Sequence, residues 1–353
     1  MIISLIGVLI MQTGLPLFMA LLRVPEKLYG MGALYSRILM GGLPVVIFYN
    51  YTSSVLRAIG DSKTPLIAMV AAALTNIILD CLAVFVLRWG IGGAAAATVL
   101  AQCLAGAICA RKMWKTPELR FSREHLALDW PLCGKLMKLG TPIAAKSIII
   151  SVGGMAVQTI VNGFDISFIA GYTATNKLYG LLEICALSYG YAVTTYVGQN
   201  YGAAKYDRIR YGMRSALWLS IATSVVIGVA MILLGRPVVR LFITSDVASL
   251  ALAAENTGYI YLCAMSIFLP VLYIIYIYQS ALQGMGNSMI SMLAGALELV
   301  ARIGVAWLVS IIGYEYGIFG AEIGAWVIAA IYTLIYYHRW MKKNMPQTAE
   351  KKI

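Results

Sequence analysis

Asn76 and Asp80 are polar residues one helical turn apart in a long apolar stretch. Residues at i and i+4 share one face of a helix. A carboxylate at mid-bilayer costs roughly 2.5–3.5 kcal/mol on insertion scales, so such a residue is usually functional. Thr98, in the next apolar stretch, lies at a similar depth, about 11 Å from the outer helix end against about 12 Å for Asp80. Their oxygens suit Na⁺, and the carboxyl alone suits a proton.

The second half of the chain has charged residues inside apolar stretches as well. Glu298 and Arg302 are spaced i,i+4 in the favourable order, and they form either a self-neutralising pair or a substrate contact. Glu183 and Lys177 are six residues apart, so they lie on different helix faces. Glu183 suits a cationic substrate, whereas Lys177 suits an anionic or zwitterionic one. Lys146, near a cytoplasmic helix end, is expected to extend its ammonium to water.

Prolines and tyrosines complete the set of candidate residues. Pro44 and Pro270 occupy matching apolar stretches, where each predicts a static bend or a hinge for opening and closing. Tyr273 and Tyr276, at i,i+3, share a face. They either line a substrate cleft for cation–π contact or, in the more common role, pack between helices.

The elements that position these residues are membrane-spanning helices. The chain has 353 residues, of which 61% are hydrophobic and 12% are charged, whereas soluble domains carry about 25% charged residues. Lipid leaves only helices or closed barrels, and these apolar runs are too long for barrel strands. We therefore predict an all-α polytopic membrane protein with about ten spans, at 1–22, 33–57, 64–87, 91–110, 139–163, 167–197, 214–235, 257–283, 288–312 and 318–338.

An internal repeat orders these spans. Residues 35–66 share a pattern with the stretch 226 positions later, ending in Gly60-Asp61-Ser62 and in Gly286-Asn287-Ser288. Six spans separate the copies, so the two halves run parallel as pseudo-symmetric lobes. The second half has two spans without a counterpart, and the first lobe is therefore expected to lack its first two helices. The predicted regions are an N-terminal lobe of four helices (1–112), a cytoplasmic linker (113–138), a C-terminal lobe of six helices (139–340) and a cytoplasmic tail (341–353).

The basic residues predict orientation and localisation. The net charge of +12 comes from short clusters between apolar runs, which is typical of the positive-inside pattern rather than of a nucleic-acid groove. Loop 111–138 alone holds seven Lys and Arg residues. The linker and the C-terminus are therefore predicted to be cytoplasmic, in a multi-pass protein of the inner or plasma membrane. The turn at 236–256 falls outside and fits the rule less well, because it contains Arg236 and Arg240.

Two groups of residues resemble a known family. These are the run Gly198-Gln199-Asn200-Tyr201-Gly202-Ala203 with Asp207-Arg208, and the turn 57–65 with its echo 283–287. The chain resembles DinF-like and NorM-like members of the multidrug and toxic compound extrusion (MATE) transporters from residue 1 to about 340. The resemblance implies two six-helix lobes around a central cleft and cation-coupled export of organic, often cationic, compounds.

The resemblance also implies a cation site. In DinF-like members an Asn-x-x-x-Asp pair and a Thr on successive helices line it, matching Asn76, Asp80 and Thr98. An Asn on the preceding helix is best matched by Asn50, although that residue lies about 25 Å down its helix. An Asp on the family's first helix has no counterpart here, which leaves the site in this chain incomplete.

We therefore predict a secondary antiporter coupled to Na⁺ or H⁺, working by alternating access. No Walker A, GxSxG or HExxH motif is present, so no enzyme activity and no cofactor is expected. The expected partners are small-molecule substrates and membrane lipid, without nucleic acid, and the protein is expected to be a monomer. Two alternatives are a lipid-linked oligosaccharide flippase of the same superfamily and an inactive truncated remnant.

Overall fold

The computed structural model describes residues 2–21, 26–119, 129–243 and 247–344, and all their regular structure is helical. Parts of the predicted linker (120–128) and tail (345–353) lie outside these ranges. The helices are α1 (Ile2–Leu21), α2 (Glu26–Gly41), α3 (Leu43–Ala58), α4 (Lys63–Cys81), a π-helix (Leu82–Val86), α5 (Gly90–Lys115), α6 (Trp130–Val161), α7 (Ile166–Gly202), α8 (Tyr206–Arg240), α9 (Ala248–Gly284), α10 (Met289–Ile312) and α11 (Phe319–Asn344), with short 3₁₀ turns at Pro117–Leu119 and Glu315–Ile318.

The chain divides into two compact units, the N-terminal unit (Met1–Leu128) and the C-terminal unit (Asp129–Ile353). In the N-terminal unit α5 packs against α2, α3 and α4. Its buried residues there are mostly alanines, such as Ala101 and Ala105, and such small side chains let membrane helices approach closely. In the C-terminal unit α9 packs against α7, α8 and α11, while α10 packs against α6 and α11.

The prediction of an all-helical, multi-pass membrane protein is confirmed. Within the described ranges, seven helices are long and apolar enough to cross a membrane, and the bent pair α2–α3 brings the number to eight. The predicted spans 1–22 and 167–197 are not among them. In the first region only the shorter helix Ser4–Leu17 qualifies as apolar, and α7 carries Lys177 and Glu183 along its length. The total of ten spans therefore stays a prediction.

The internal repeat is reproduced in the helix boundaries. Helix α3 ends at Ala58 and α9 ends at Gly284, which is 226 positions later. Helices α4 and α10 begin at Lys63 and Met289, again 226 positions apart. Both copies therefore have a helix end, a tight turn and the start of a second helix at matching positions.

The turns of the two copies also share their backbone conformation. Gly60 has φ +94° and Gly286 has φ +81°, a left-handed conformation that glycine adopts without steric cost. After each glycine, a backbone N–H closes the Schellman pattern, from Asp61 to the Leu56 carbonyl at 2.9 Å and from Asn287 to the Leu282 carbonyl at 2.8 Å. In the first turn Thr64 donates two bonds to the Asp61 carboxylate, which hold the pKa of Asp61 below its ordinary value.

The two repeat prolines lie in different local structures. Pro44 is in the first turn of α3, where its missing N–H breaks no helix bond, and α2 and α3 meet at 41° just before it. Pro270 lies inside the continuous helix α9. Proline there removes the hydrogen bond to the carbonyl four residues earlier, that of Ser266. Gly228 of α8 packs directly against this carbonyl, since a Cβ at Gly228 would lie 2.7 Å from its oxygen.

Candidate functional site

Asn76 and Thr98 meet between α4 and α5 of the N-terminal unit. The Asn76 Nδ2 lies 3.5 Å from the Thr98 Oγ1, and the threonine hydroxyl donates to the Ala94 carbonyl at 3.1 Å. Asp80 lies one turn after Asn76 on the same helix. Its Oδ1 is buried, and no hydrogen-bond partner for it exists among the described residues. A buried carboxylate oxygen without a donor is costly, so this oxygen is suited to a bound cation or a proton.

A cavity of about 150 Å³ lies beside this cluster. Asn76 and Thr98 line it together with Tyr49, Gln102 and several alanines. Gln102 is a residue that the sequence analysis missed. Its Oε1 is buried and also lacks a partner in the described part of the chain. The signal was present in the spacing, because Gln102 lies four residues after Thr98 on the same helix face.

The side chain of Asn50 forms its hydrogen bond within its own helix rather than with this cluster. Its side chain is exposed and donates to the Val46 carbonyl of its own helix at 2.9 Å. Among the described contacts it has no hydrogen bond to Asn76, Asp80 or Thr98. The structure thus brings Asn76 and Thr98 together, places Asp80 on the same helix, and leaves the role of Asn50 as a prediction.

A π-helix, Leu82–Val86, continues α4 and begins two residues after Asp80. In the second copy the equivalent stretch is ordinary α-helix to the end of α10 at Ile312. Single π-turns inside α-helices occur frequently at functional sites. The irregular segment therefore marks the copy that carries the unpartnered carboxylate.

The charged cluster of the C-terminal unit joins α10 to α11. Arg302 lies 3.7 Å from the Glu298 carboxylate, so the i,i+4 spacing does place the two charges together. It is also 2.8 Å from Glu322 of α11, which the sequence analysis did not single out. Arg302 and Glu298 are 4% and 5% exposed. The three residues form a buried, hydrogen-bonded charge cluster.

The two polar clusters occupy equivalent interfaces of the two units. Arg302 is the counterpart of Asn76 at the 226-residue offset. Asn76 reaches Thr98 across the α4–α5 interface, and Arg302 reaches Glu322 across the α10–α11 interface. The N-terminal copy thus offers neutral polar atoms and a carboxylate, whereas the C-terminal copy is already charge-paired.

A second polar region lies between α6, α7 and α9. Lys146 and Glu183 both line a cavity of about 370 Å³ there. Lys146 donates to the Oε1 of Gln279, so the expectation that its ammonium extends to water is wrong. The buried amide of Gln279 offers a closer acceptor. Tyr276 lines the same cavity and donates to the Glu183 carboxylate.

Tyr273 and Lys177 lie elsewhere in the C-terminal unit. Tyr273 is fully buried and donates to the Leu182 carbonyl at 3.2 Å, so its hydroxyl is used in packing α9 against α7. Lys177 is exposed on α7 and lines a different cavity, with Thr173 and Phe242. No ion pair joins Lys177 to Glu183 in the described ranges, as their six-residue spacing predicts.

The donor atoms of these sites limit the ions that they suit. Within the described residues, no group of three or more His, Cys, Asp or Glu side chains is placed to hold a metal ion. The N-terminal cluster instead combines one carboxylate with amide and hydroxyl oxygens. Such oxygen sets suit hard cations rather than zinc or copper.

Long apolar helices, a duplicated helix–turn–helix and polar groups held between helices are typical of a helical multi-pass membrane protein. The family model MatE matches residues 1–82 and 142–308, more than half of the chain. The chain belongs to this family, the MATE transporters that its motifs resemble. It is therefore a multi-pass membrane protein of a transporter family rather than of an enzyme family.

Curated relatives and a solved structure are similar to this chain. The chain is 30% identical to the probable multidrug resistance protein YpnP of Bacillus subtilis, over 65% of this chain and 51% of YpnP. It is 31% identical to the probable multidrug resistance protein YoeA of the same organism, over 69% of this chain and 55% of YoeA. The chain thus spans about half the length of these relatives. A solved mutant of the Vibrio cholerae MATE transporter VcmN has the same fold, with a TM-score of 0.89 at 20% identity, covering 98% of this chain and 77% of VcmN.

Proposed function

We propose that this protein is a secondary antiporter that exports small organic molecules across the cytoplasmic membrane in exchange for Na⁺ or H⁺. The observation that carries the proposal is the pair of buried oxygens without partners, Asp80 Oδ1 and Gln102 Oε1, next to the Asn76–Thr98 contact. A cation or a proton at Asp80 relieves the cost of the unpaired carboxylate. Membership of the MATE family and the names of the curated relatives support the export of small molecules over a lipid-linked oligosaccharide flippase.

The coupling follows from differential binding. Asp80 alternates between a free carboxylate and a cation-bound or protonated form. An ion shifts a conformational equilibrium only as far as its affinities for the two states differ. Asn76, Thr98 and Gln102 supply the neutral oxygens that make the site selective for the ion. The entry of the ion down its gradient then drives the export of the substrate, without a nucleotide.

The test is transport in membrane vesicles that contain the full chain. Asp80→Asn is expected to abolish gradient-driven efflux of a fluorescent organic cation, because the amide neither titrates nor balances a bound cation. Gln102→Leu is expected to raise the ion concentration that gives half-maximal transport by about tenfold. This is the scale of one lost hydrogen bond to a charged group. Transport is measured first with a varied Na⁺ gradient at constant pH, and then with a varied pH gradient at constant Na⁺ concentration. The comparison shows which of the two ions drives transport.

A matched control keeps this test specific. Asn162→Asp makes the reverse change at an exposed position of the C-terminal unit, outside the predicted cation site, and should not restore efflux to the Asp80→Asn variant. All variants must show wild-type amounts in the membrane and the wild-type elution profile in detergent. Unchanged efflux by Asp80→Asn would remove Asp80 from the mechanism. Absence of efflux by the wild-type chain would favour the inactive remnant.

A further inference from the structure

The 370 Å³ cavity of the C-terminal unit has a positive end and a negative end. Lys146 of α6 and Glu183 of α7 both line it, yet they do not form an ion pair within 4 Å. No other ion pair to either side chain occurs among the described residues. The cavity falls in the size range of small-molecule sites, which are roughly 300–1,000 Å³ and combine apolar walls with a few polar groups.

The positive end presents hydrogen-bond donors in excess. Lys146 donates to the Gln279 Oε1, which leaves two of its three N–H groups for other acceptors. Gln279 is only 2% exposed, and its Nε2 has no partner in the described part of the chain. A buried amide donor without an acceptor costs free energy. An ammonium and an amide N–H₂ side by side are suited to a carboxylate.

The negative end is Glu183, which accepts the hydroxyl of Tyr276. One carboxylate offers about four lone-pair positions, so this bond leaves capacity for a second donor. The Lys146 ammonium lies 5.8 Å from the centre of the Tyr276 ring, so the tyrosine stands between the two charged ends. Both ends are hydrogen-bonded to neutral partners, and neither has an ion pair within 4 Å among the described residues.

Gly295 of α10 leaves space for the side chain of Lys146. A Cβ on Gly295 of α10 would lie 2.9 Å from the Lys146 Cγ, closer than carbon atoms pack. The lysine stem thus passes over a glycine to reach Gln279 of α9. Glu298 of α10 acts on Lys146 electrostatically, as Glu183 does, but Glu298 is already paired with Arg302.

We propose that this cavity binds zwitterionic organic molecules, with the carboxylate of the ligand at Lys146 and Gln279 and its ammonium at Glu183. The proposal deepens the proposed function, since it names a substrate class for the exporter. A purely cationic molecule has no carboxylate to pair with Lys146, whose charge then opposes that of the ligand. A purely anionic molecule has no ammonium to pair with Glu183, whose charge likewise opposes that of the ligand. Unpaired or opposed charges of this kind reject the wrong partner.

A charge-matched series of fluorescent probes tests the proposal in the purified full-length chain in lipid nanodiscs. Nε-dansyl-lysine is zwitterionic, its methyl ester is cationic and its Nα-acetyl derivative is anionic, while all three share one fluorophore. The zwitterion is expected to bind at least tenfold more tightly than either relative. Lys146→Met is expected to lower zwitterion affinity at least tenfold and to remove the preference over the ester. Glu183→Gln should remove the preference over the acetyl derivative.

Two controls make the result specific. Lys138→Met makes the same change at an exposed position of the same helix, outside the cavity, and should leave all affinities unchanged. Lys146→Arg keeps the charge and should retain the preference. Equal wild-type affinities for the three probes, or no binding, would overturn the proposal. If Lys146→Met does not fold, the wild-type series and Glu183→Gln decide. The assay contains no ion gradient, so a failure of coupling at Asp80 is seen separately, in the vesicle experiment.

Discussion

Arg302 connects two buried carboxylates from different helices. Its guanidinium is 2.8 Å from Glu322 and 3.7 Å from Glu298, whereas its Nε and Nη1 have no partner among the described residues. Burying an ion pair is often no better than burying apolar groups, but removing one partner leaves an uncompensated charge. Arg302→Met is therefore expected to destabilise the protein by about 3–5 kcal/mol, measured by thermal unfolding in detergent.

A compensated variant separates stability from substrate contact. Arg302→Met combined with Glu298→Gln and Glu322→Gln removes all three charges together, and it is expected to recover most of the lost stability. If the triple variant still binds the zwitterionic probe with wild-type affinity, the cluster joins helices and does not contact substrate. Wild-type stability of Arg302→Met alone would contradict the prediction.

At the residue scale, the pairs that lie on one helix could be predicted from the sequence. The pair Glu298–Arg302 and the pair Asn76–Asp80 follow from i,i+4 spacing, because both members lie on one helix. Glu322 and Gln279 were missed because each meets its partner from another helix, and spacing along one helix carries no information about which faces of two helices meet. Gln102 was missed although its spacing from Thr98 on the same helix was a signal.

Helices α7 and α9 approach closely where the two family motifs meet. A Cβ on Gly284 would lie 2.7 Å from the Thr194 carbonyl oxygen and 3.1 Å from the Gly198 nitrogen. Both neighbours are backbone atoms, so neither can rotate away. Gly284→Ala is expected to cost about 1–3 kcal/mol, the usual effect of overpacking, and to lower the unfolding temperature in detergent.

Gly304 provides the matched control for this substitution. It also lies inside a helix, α10, and a Cβ there would meet nothing within 4 Å. Gly304→Ala is expected to be neutral or to stabilise by up to about 1 kcal/mol, since alanine favours helix over glycine. Equal effects of the two substitutions would contradict the close packing of α7 on α9.

Helix boundaries show where prediction from sequence succeeds and where it stops. The turn after α3 and its copy after α9 were predictable, because a glycine at the same offset supplies the same left-handed residue. The differing environments of Pro44 and Pro270 were not. Proline at either position permits a bend, and whether one forms depends on what packs against the freed carbonyl. The π-helix after Asp80 likewise has no signal in its apolar residues.

For the whole molecule, composition and hydropathy were sufficient to predict a multi-pass helical protein, because lipid admits so few spanning structures. The number of spans was harder to predict. Helix α7 illustrates the reason: it is 37 residues long, but Lys177 and Glu183 lie along it, and such charges lower the mean hydropathy on which a predicted span rests.

Orientation is the remaining property of the whole molecule, and the turn at 236–256 is its critical point. The positive-inside rule predicts that the C-terminus is cytoplasmic and that this turn is outside, although the turn contains Arg236. In the structure Arg236 is 3.7 Å from Glu255, and its guanidinium lies 4.7 Å from the centre of the Tyr259 ring. The predicted orientation rests on the larger basic clusters of loop 111–138 and of the C-terminal tail. Green fluorescent protein fused after Asn344 is therefore expected to fluoresce, and alkaline phosphatase fused after Phe242 is expected to be active.

The same phosphatase fused after Lys115 is the matched control and should be inactive, since it lies in the basic linker. Phosphatase activity at Lys115 together with inactivity at Phe242 would invert the orientation, and would place Asp80 at the opposite end of the ion gradient from the one that drives export.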